Sequence, residues 1–201
     1  MNTADKHVAI IGTGMIGASL AALFTGNSFR TSMYAVNDTE ADAGMERYRS
    51  YFTDLIDAEL VTPEQAETCA KLLTVTQSYK DLSDADFIFE CVVERLDVKH
   101  SVFEEIEKYC HNYKALASST SALSADDLVE KMEDKSKLLV AHPWNPPHLV
   151  PCVEVMRSKY TSDEAVQFTV DILKAVGREP VVMKKSAEGF IANRLQHALY
   201  R

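Results

Sequence analysis

Cysteine is scarce in this sequence, and its placement excludes the usual cysteine-based architectures. The 201 residues contain only four cysteines, namely Cys69, Cys91, Cys110 and Cys152. They form no C-x-x-C pair, and no His/Cys spacing is typical of a zinc site. Scattered single thiols are usually small core side chains in a reducing compartment, so we expect a cytoplasmic protein without a metal.

Excess positive charge and long apolar runs are also lacking. The net charge of −9 argues against sequence-independent binding of nucleic acid, which needs a basic surface, and it discourages binding to an anionic membrane. No apolar run approaches the length of a membrane span, and residues 1–7 are too polar for a signal peptide. With 46% hydrophobic and 25% charged residues, the composition is typical of one sizeable globular domain.

What the sequence does contain is a dinucleotide-binding pattern near its start. A short β-branched run, residues 8–11, leads into Gly12-Thr13-Gly14-Met15-Ile16-Gly17, and an Ala/Leu-rich helical segment follows. In a G-x-G-x-x-G loop the first glycine allows the turn, the second admits a pyrophosphate, and the third lets the helix pack on the strand. The free N–H groups of the helix then attract the phosphates. We therefore predict that these six residues bind a nicotinamide dinucleotide; the alternative is an ordinary glycine-rich βα turn.

The acidic residue that usually accompanies this pattern is not at its expected place. An NAD-binding unit carries a carboxylate about 20 residues beyond the loop, at the end of the second strand, for the ribose 2′-OH. That position is Ala35 here, and Asp38 lies just beyond it. Either Asp38 replaces the missing acid, or the ribose is held without a carboxylate, which would relax discrimination against NADP. No arginine stands at the strand end to bind a 2′-phosphate, so NAD is favoured.

Short apolar runs alternate with helical stretches along the whole chain. This alternation is typical of an α/β protein with a Rossmann-like, doubly wound and mostly parallel sheet. The predicted strands cover residues 8–11, 31–36, 73–76, 87–92, 115–117, 138–141, 153–156 and 181–183. The predicted helices cover 18–25, 39–58, 63–72, 96–109, 125–129, 163–176 and 189–201, with Thr62, Ser124 and Ser162 as N-caps. We expect a dinucleotide-binding domain over 1–188 and the first helix of a further, helical domain over 189–201.

Polar residues that could do chemistry follow several of these strands. Ligands of open α/β sheets bind at the carboxyl ends of the strands. Glu94, Ser121 and His142 stand near such ends. A dehydrogenase needs a base for the hydroxyl proton, and a histidine oriented by a carboxylate suits this task near neutral pH. Glu154, in a neighbouring strand, is the candidate carboxylate; the alternatives are a structural histidine and a solvated strand residue.

Several motifs together resemble the 3-hydroxyacyl-CoA dehydrogenase family. They are the glycine loop 12–17, Val92-Val93-Glu94-Arg95-Leu96 with Lys99, Ser118-Ser119-Thr120-Ser121, His142-Pro143-Trp144-Asn145-Pro146, Val153-Glu154-Val155 and Gly189-Phe190-Ile191-Ala192-Asn193-Arg194. They occur in order and at matching spacing over nearly the whole chain. The doubled proline after Asn145 and the Asn193-Arg194-Leu195-Gln196 run are more similar to the lambda-crystallin (L-gulonate 3-dehydrogenase) branch than to the mitochondrial enzymes.

The resemblance implies a role for each matching residue. His142 would be the catalytic base and Glu154 its partner, while Ser121 and Asn193 would hold the oxygens of the substrate. Asn145 would position the nicotinamide end. Glu94 and Lys99 would contact the cofactor, NAD. The alternatives are a helix-start ion pair for Glu94 and Lys99 and a turn residue for Ser121.

The resemblance also implies a substrate class and an assembly. The substrate would be a 3-hydroxyacyl-CoA or a free 3-hydroxy acid, and the serine and lysine that bind CoA in the family have no clear match here. Members of the family carry a helical C-terminal domain that completes the substrate site and supplies most of a homodimer interface. We therefore expect this chain to bind its cofactor but to turn over weakly. A catalytically silent NAD(H)-binding or crystallin-like structural protein is the main alternative, and an amino-acid or imine reductase is a weaker one.

Overall fold

The computed structural model describes residues 5–184 and 189–200, in which strands and helices alternate. The strands are β1 (His7–Ile11), β2 (Arg30–Tyr34), β3 (Leu73–Thr76), β4 (Phe87–Glu90), β5 (Ala115–Ser118), β6 (Leu138–Pro143), β7 (Cys152–Arg157) and β8 (Glu179–Val182). The α-helices are α1 (Met15–Gly26), α2 (Asp38–Asp57), α3 (Pro63–Ala70), α4 (Leu96–Tyr109), α5 (Ala125–Leu128), α6 (Asp163–Ala175) and α7 (Ala192–Leu199), and a 3₁₀ turn covers Tyr79–Leu82. None of the helices within the described ranges is both long and apolar enough to cross a membrane.

One eight-stranded sheet organises the chain, in the order β3-β2-β1-β4-β5-β6-β7-β8. Every neighbouring pair is parallel except β6 and β7, which are antiparallel. The strand order reverses direction between β1 and β4, and ligands of such sheets bind at this switch point. The predicted Rossmann-like, mostly parallel α/β fold is confirmed.

Helices cover both faces of the sheet, so its central strands are buried on two sides. Helices α1, α2, α3 and α6 share one core with Val8 and Ile10 of β1. Helices α4 and α5 share the other core with Ala9 and Ile11. Successive side chains of a strand point to opposite faces, which is why the central strand is apolar throughout rather than alternating.

Three predicted helix starts, those with an N-cap residue, are confirmed by capping hydrogen bonds. Thr62 accepts from the backbone N–H of Gln65 and forms a capping box with it. Ser124 and Ser162 cap α5 and α6 in the same way. Each hydroxyl satisfies a backbone donor that the first helical turn leaves without an intrahelical partner.

Some predicted boundaries were wrong by a few residues. Strand β4 ends at Glu90 rather than residue 92, because the Glu90 carboxylate accepts the N–H of Val92. Strand β2 ends at Tyr34, and Val36 beyond it is 69% exposed. The last helix begins at Ala192 rather than residue 189, because Phe190 has a left-handed φ of 52° that a right-handed helix cannot contain. The predicted domain boundary at 188 lies outside the described residues.

The glycine loop packs against the first helix without room for another atom. A Cβ placed on Gly17 would lie 2.1 Å from the carbonyl oxygen of Gly12. That oxygen belongs to the backbone and cannot rotate away. The third glycine of the loop is therefore required for the close packing of α1 on β1, independently of any ligand.

We predict that Gly17→Ala destabilises the fold, because the new methyl group collides with fixed backbone. The free energy of unfolding should fall by at least about 3 kcal/mol, measured by urea titration followed by circular dichroism. Gly26→Ala, at the other end of α1, is the matched control, since its Cβ would meet nothing within 4 Å. Equal stability of the two variants would contradict this account of the packing.

Candidate active site

The predicted base and its carboxylate lie directly opposite each other on two strands. The antiparallel register of β6 and β7 pairs His142 with Glu154. Their side chains meet with the imidazole Nδ1 2.9 Å from the carboxylate Oε2, and both residues are buried. A buried carboxylate on Nδ1 fixes the tautomer of the ring and stabilises its protonated form. The other nitrogen, Nε2, is then the one that remains for a substrate.

Three further groups hold this pair, and the sequence did not single them out. The indole N–H of Trp144 donates to Glu154 Oε2 at 3.3 Å, and the backbone N–H of Ile191 donates to Oε1 at 2.7 Å. The ring of Phe190 lies 5.0 Å from that of His142. In the sequence, these residues were marked only by their place in the motifs quoted above. Two of the three contacts come from residues 190 and 191, a segment far along the chain from the pair. Glu154 is thus a fixed carboxylate rather than a mobile one.

The other predicted substrate residues line a cleft in front of His142. It has a volume of about 790 Å³ and is lined by Ile16, Ser119, Ser121, His142, Pro143, Trp144, Asn145, Asn193, Leu195, Gln196, Leu199 and Tyr200. Asn193 donates its side-chain N–H to the backbone oxygen of Ser121 at 3.1 Å. The predicted base and the three polar residues predicted for the site, Ser121, Asn145 and Asn193, therefore line one space. Among the residues that the structure describes, no cluster of three His, Cys, Asp or Glu side chains could hold a metal ion.

A buried ion pair lies beneath the carboxyl end of β4. Glu90 and Lys99 are both fully buried, and their charged atoms are 2.7 Å apart. Glu90 also accepts from the Ser118 hydroxyl at 2.5 Å and from the N–H of Val92. Sequence reasoning missed Glu90, which stands inside an apolar strand. The pair ties β4, β5 and α4 together where the cofactor would lie.

Glu94 lies at the outer end of the same network. Its Oε2 is 3.4 Å from the Lys99 ammonium, and its Oε1 accepts from the N–H groups of Ser121 and Ala122 and from the Thr120 hydroxyl. Burial alone would raise the pKa of Glu94, but these hydrogen bonds and the Lys99 charge outweigh burial and lower it. The ion pair that was the alternative interpretation of Glu94 and Lys99 is thus formed, and Glu94 also holds the Ser121 loop. Contact of either residue with a cofactor stays a prediction, and Lys99 is fully buried in this structure.

The glycine loop fits the pyrophosphate of a dinucleotide. A Cβ on Gly14 would meet nothing within 4 Å, so open space lies above this glycine. Gly14 is the N-cap of α1 and offers no side-chain cap, and Met15 begins the helix. Uncapped N–H groups and the helix dipole are what a phosphate needs. The loop can therefore hold NAD in the manner that its sequence predicts.

Asp38, the predicted ribose ligand, has one carboxylate oxygen bound to a side chain that follows the edge strand. It is the first residue of α2, and its Oδ1 accepts from the side-chain amide of Gln77 at 2.5 Å. Gln77 follows β3, one strand farther toward the edge of the sheet. Ala35, at the family's acidic position, is buried.

The loop that carries Asn145 is fastened to α1 by a histidine. His148 is buried, its backbone N–H donates to the Ser19 hydroxyl at 3.0 Å, and its Nδ1 lies 2.8 Å from the same oxygen. Burial, with a smaller effect of the Arg178 charge, lowers the pKa of His148 against the opposing influence of Asp54. Burial therefore favours the neutral imidazole in this anchor, whichever of Ser19 and Nδ1 donates between them.

Comparisons with known proteins agree with this geometry. Residues 7–186 match the family model described as "3-hydroxyacyl-CoA dehydrogenase, NAD binding domain". The chain is 34% identical over 199 residues to L-carnitine dehydrogenase of Nocardiopsis dassonvillei, covering 98% of this chain and 59% of that protein. It is 29% identical over 201 residues to lambda-crystallin of Oryctolagus cuniculus, covering 98% and 62%.

A solved structure supports the same relationship. The chain superposes on (S)-3-hydroxybutyryl-CoA dehydrogenase from Ralstonia eutropha with a TM-score of 0.91 and 25% identity, covering 96% of this chain and 68% of that one. The chain spans about three fifths of the length of the two relatives above, and 26% of the multifunctional β-oxidation protein of Cucumis sativus that it also matches.

We predict that Lys99→Met destabilises the fold, because it leaves the Glu90 carboxylate buried without its counter-ion. The free energy of unfolding should fall by about 3–5 kcal/mol in urea titrations. Adding Glu90→Gln to this variant should recover part of the loss. Lys108→Met removes a lysine from an exposed pair with Glu105 and should change stability little. A Lys99→Met protein as stable as the parent would contradict the importance of the pair.

We also predict a pH dependence from His148. Its folded-state pKa lies below the usual value near 6.5, so the unfolded chain binds the proton more readily. Stability should therefore fall as the pH drops from above about 6.5 toward the lower folded-state pKa. His148→Asn should make thermal stability less dependent on pH across this window, and His111→Asn, at an exposed position, should not. An unchanged slope in His148→Asn would show that the anchor is not the titrating group.

Proposed function

Because this chain belongs to the 3-hydroxyacyl-CoA dehydrogenase family and has NAD as its cofactor, we propose that it transfers hydride from the 3-hydroxyl carbon of a 3-hydroxy substrate. The observation that carries the proposal is the His142–Glu154 pair, held at 2.9 Å beside the 790 Å³ cleft. A protein that only binds the dinucleotide has no use for such a pair. NAD⁺, when bound, supplies the hydride acceptor.

In this mechanism His142 takes the proton of the hydroxyl group at Nε2. Glu154, bound at Nδ1, stabilises the imidazolium that forms, and its own donors, Trp144 and Ile191, keep it in place. The substrate alcohol loses a hydride from carbon and a proton from oxygen and becomes a ketone. In the reverse direction the imidazolium returns the proton to the carbonyl oxygen.

Ser121 and Asn193 are proposed to hold the substrate. Both line the cleft, and the side-chain amide of Asn193 already contacts the Ser121 backbone at 3.1 Å. A hydroxyl and an amide can bind the reacting oxygen or a neighbouring carbonyl while His142 acts on the proton. Asn145, in the same cleft, is proposed to position the nicotinamide end.

The substrate class is proposed as a 3-hydroxyacyl-CoA or a free 3-hydroxy acid. Relatives named for a CoA thioester and for L-carnitine both align over nearly all of this chain. Leu195 and Leu199 of α7, and Tyr200 directly after it, are apolar side chains that are more than half exposed and line the cleft. We propose that further helical structure covers them in a homodimeric protein, and that this chain alone turns over weakly.

The cytoplasmic location is likewise a proposal. All four cysteines are free in the structure, which fits a reducing compartment. Relatives named as glyoxysomal and peroxisomal proteins make a peroxisomal matrix the competing compartment.

We predict that His142→Gln removes the base without removing the cofactor site. The rate of NADH formation from NAD⁺ and a 3-hydroxy acid should fall by about a hundred- to ten-thousandfold. Enzyme in stoichiometric amount makes even weak turnover visible in the NADH absorbance. Binding of NADH, followed by its fluorescence, should match that of the parent.

Two results would oppose the dehydrogenase proposal. One is a His142→Gln protein that forms NADH as fast as the parent does. The control is His111→Gln, which replaces an exposed histidine outside the lining of the cleft and should also match the parent. The other is a parent that binds NADH but shows no hydride transfer with acyl-CoA or free-acid substrates, which would favour the silent binding protein.

A further inference from the structure

Two charged side chains of α2 hold Thr13, the second residue of the glycine loop. Thr13 is buried between Gly12 and Gly14. Its hydroxyl donates to Glu40 Oε2 at 3.1 Å, and its backbone oxygen accepts from Arg47 Nη1 at 3.1 Å. A carboxylate and a guanidinium therefore flank the loop that binds the dinucleotide.

The close approach of α2 to the loop depends on Gly44. A Cβ there would lie 2.7 Å from Cβ of Thr13 and 3.1 Å from Cε of Met33 in β2. Glu40 lies four residues before Gly44 and Arg47 three residues after it, so all three share one face of the helix. This face is pressed against the start of the glycine loop and the carboxyl half of β2, where the adenosine ribose of a dinucleotide binds in this kind of fold.

Resting on the proposed use of NAD(H) by this site, we propose that Glu40 is the carboxylate that selects NAD over NADP. The usual position is Ala35, and the Asp38 carboxylate is bound to Gln77. Glu40, by contrast, contacts the loop itself. A carboxylate beside the ribose accepts a hydrogen bond from a 2′-hydroxyl and repels a 2′-phosphate.

Because of Arg47, the proposed selection can be tested by a gain in NADPH affinity. It supplies a positive charge at the same residue of the loop, and a guanidinium is a good phosphate ligand. With Glu40 present, its negative charge opposes an incoming 2′-phosphate. With Glu40 neutralised, Arg47 remains to attract one, so NADPH affinity should rise rather than merely cease to be disfavoured.

The test is a fluorescence titration of the chain with NADH and with NADPH. Glu40→Gln should lower the ratio of the NADPH to the NADH dissociation constant by at least about tenfold, the effect of one charge-assisted hydrogen bond. An amide oxygen can still accept from Thr13, and circular dichroism checks that the fold is kept. Asp42→Asn removes the same charge from an exposed site of α2 and should leave the ratio at the parent value. Adding Arg47→Gln to Glu40→Gln should cancel the gain in NADPH affinity.

The outcomes separate this inference from the function it rests on. A parent that binds NADH tightly, with an unchanged ratio in Glu40→Gln, overturns the role of Glu40 and leaves the cofactor site intact. A ratio that falls in Asp38→Asn instead assigns the selection to Asp38, and a parent that prefers NADPH also overturns the inference. A parent that binds neither dinucleotide overturns the proposed function together with it.

Discussion

The antiparallel register between β6 and β7 is the constraint on which the candidate chemistry depends. The sheet is parallel until β6, and the single reversal sets His142 opposite Glu154 with both side chains on one face. A shift of one residue would turn one of them to the opposite face of the sheet. The register is maintained beyond the pair, because Trp144 N–H donates to the Cys152 carbonyl at 3.1 Å. Rigid strands rather than loops thus hold the groups that are proposed to transfer the proton.

The buried carboxylates of Glu154 and Glu90 each have several hydrogen-bonding partners that keep them in place. Glu154 receives the His142 ring, the Trp144 indole and a backbone N–H, and Glu90 receives Lys99, Ser118 and a backbone N–H. A buried charge without such partners would cost several kcal/mol. The donors also fix the loops that form the walls of the cleft. The same hydrogen bonds therefore stabilise the buried carboxylates and set the geometry of the cleft.

The features that sequence reasoning could predict are those whose signals are local. The strand–glycine–helix pattern at 12–17 led to the predicted cofactor loop, and the position of His142 at a strand end led to the proposed base. It missed Glu90, because a single charge in the apolar run Phe87-Ile88-Phe89-Glu90 offers no sign that Lys99 will be buried beside it. It also missed the hydrogen bond from Ile191 to Glu154 and the contact of Phe190 with His142, because these contacts form between segments distant in the chain. The predicted end of β4 was wrong for a related reason. The Glu90 side chain accepts a backbone N–H that would otherwise have continued the hydrogen bonding between strands.

Helix α1 connects the two halves of the site, which explains why it is buried along most of its length. Its first turn belongs to the proposed cofactor site, Ile16 lines the cleft beside His142, and Gly17 packs on the loop. One turn later, Ser19 fastens the loop that carries His148 and Asn145. A displacement of α1 would therefore move the glycine loop and the Asn145 loop together. Helix α2 also reaches the glycine loop, through Thr13, so the contacts between α2 and the loop contribute to the shape of the proposed cofactor site.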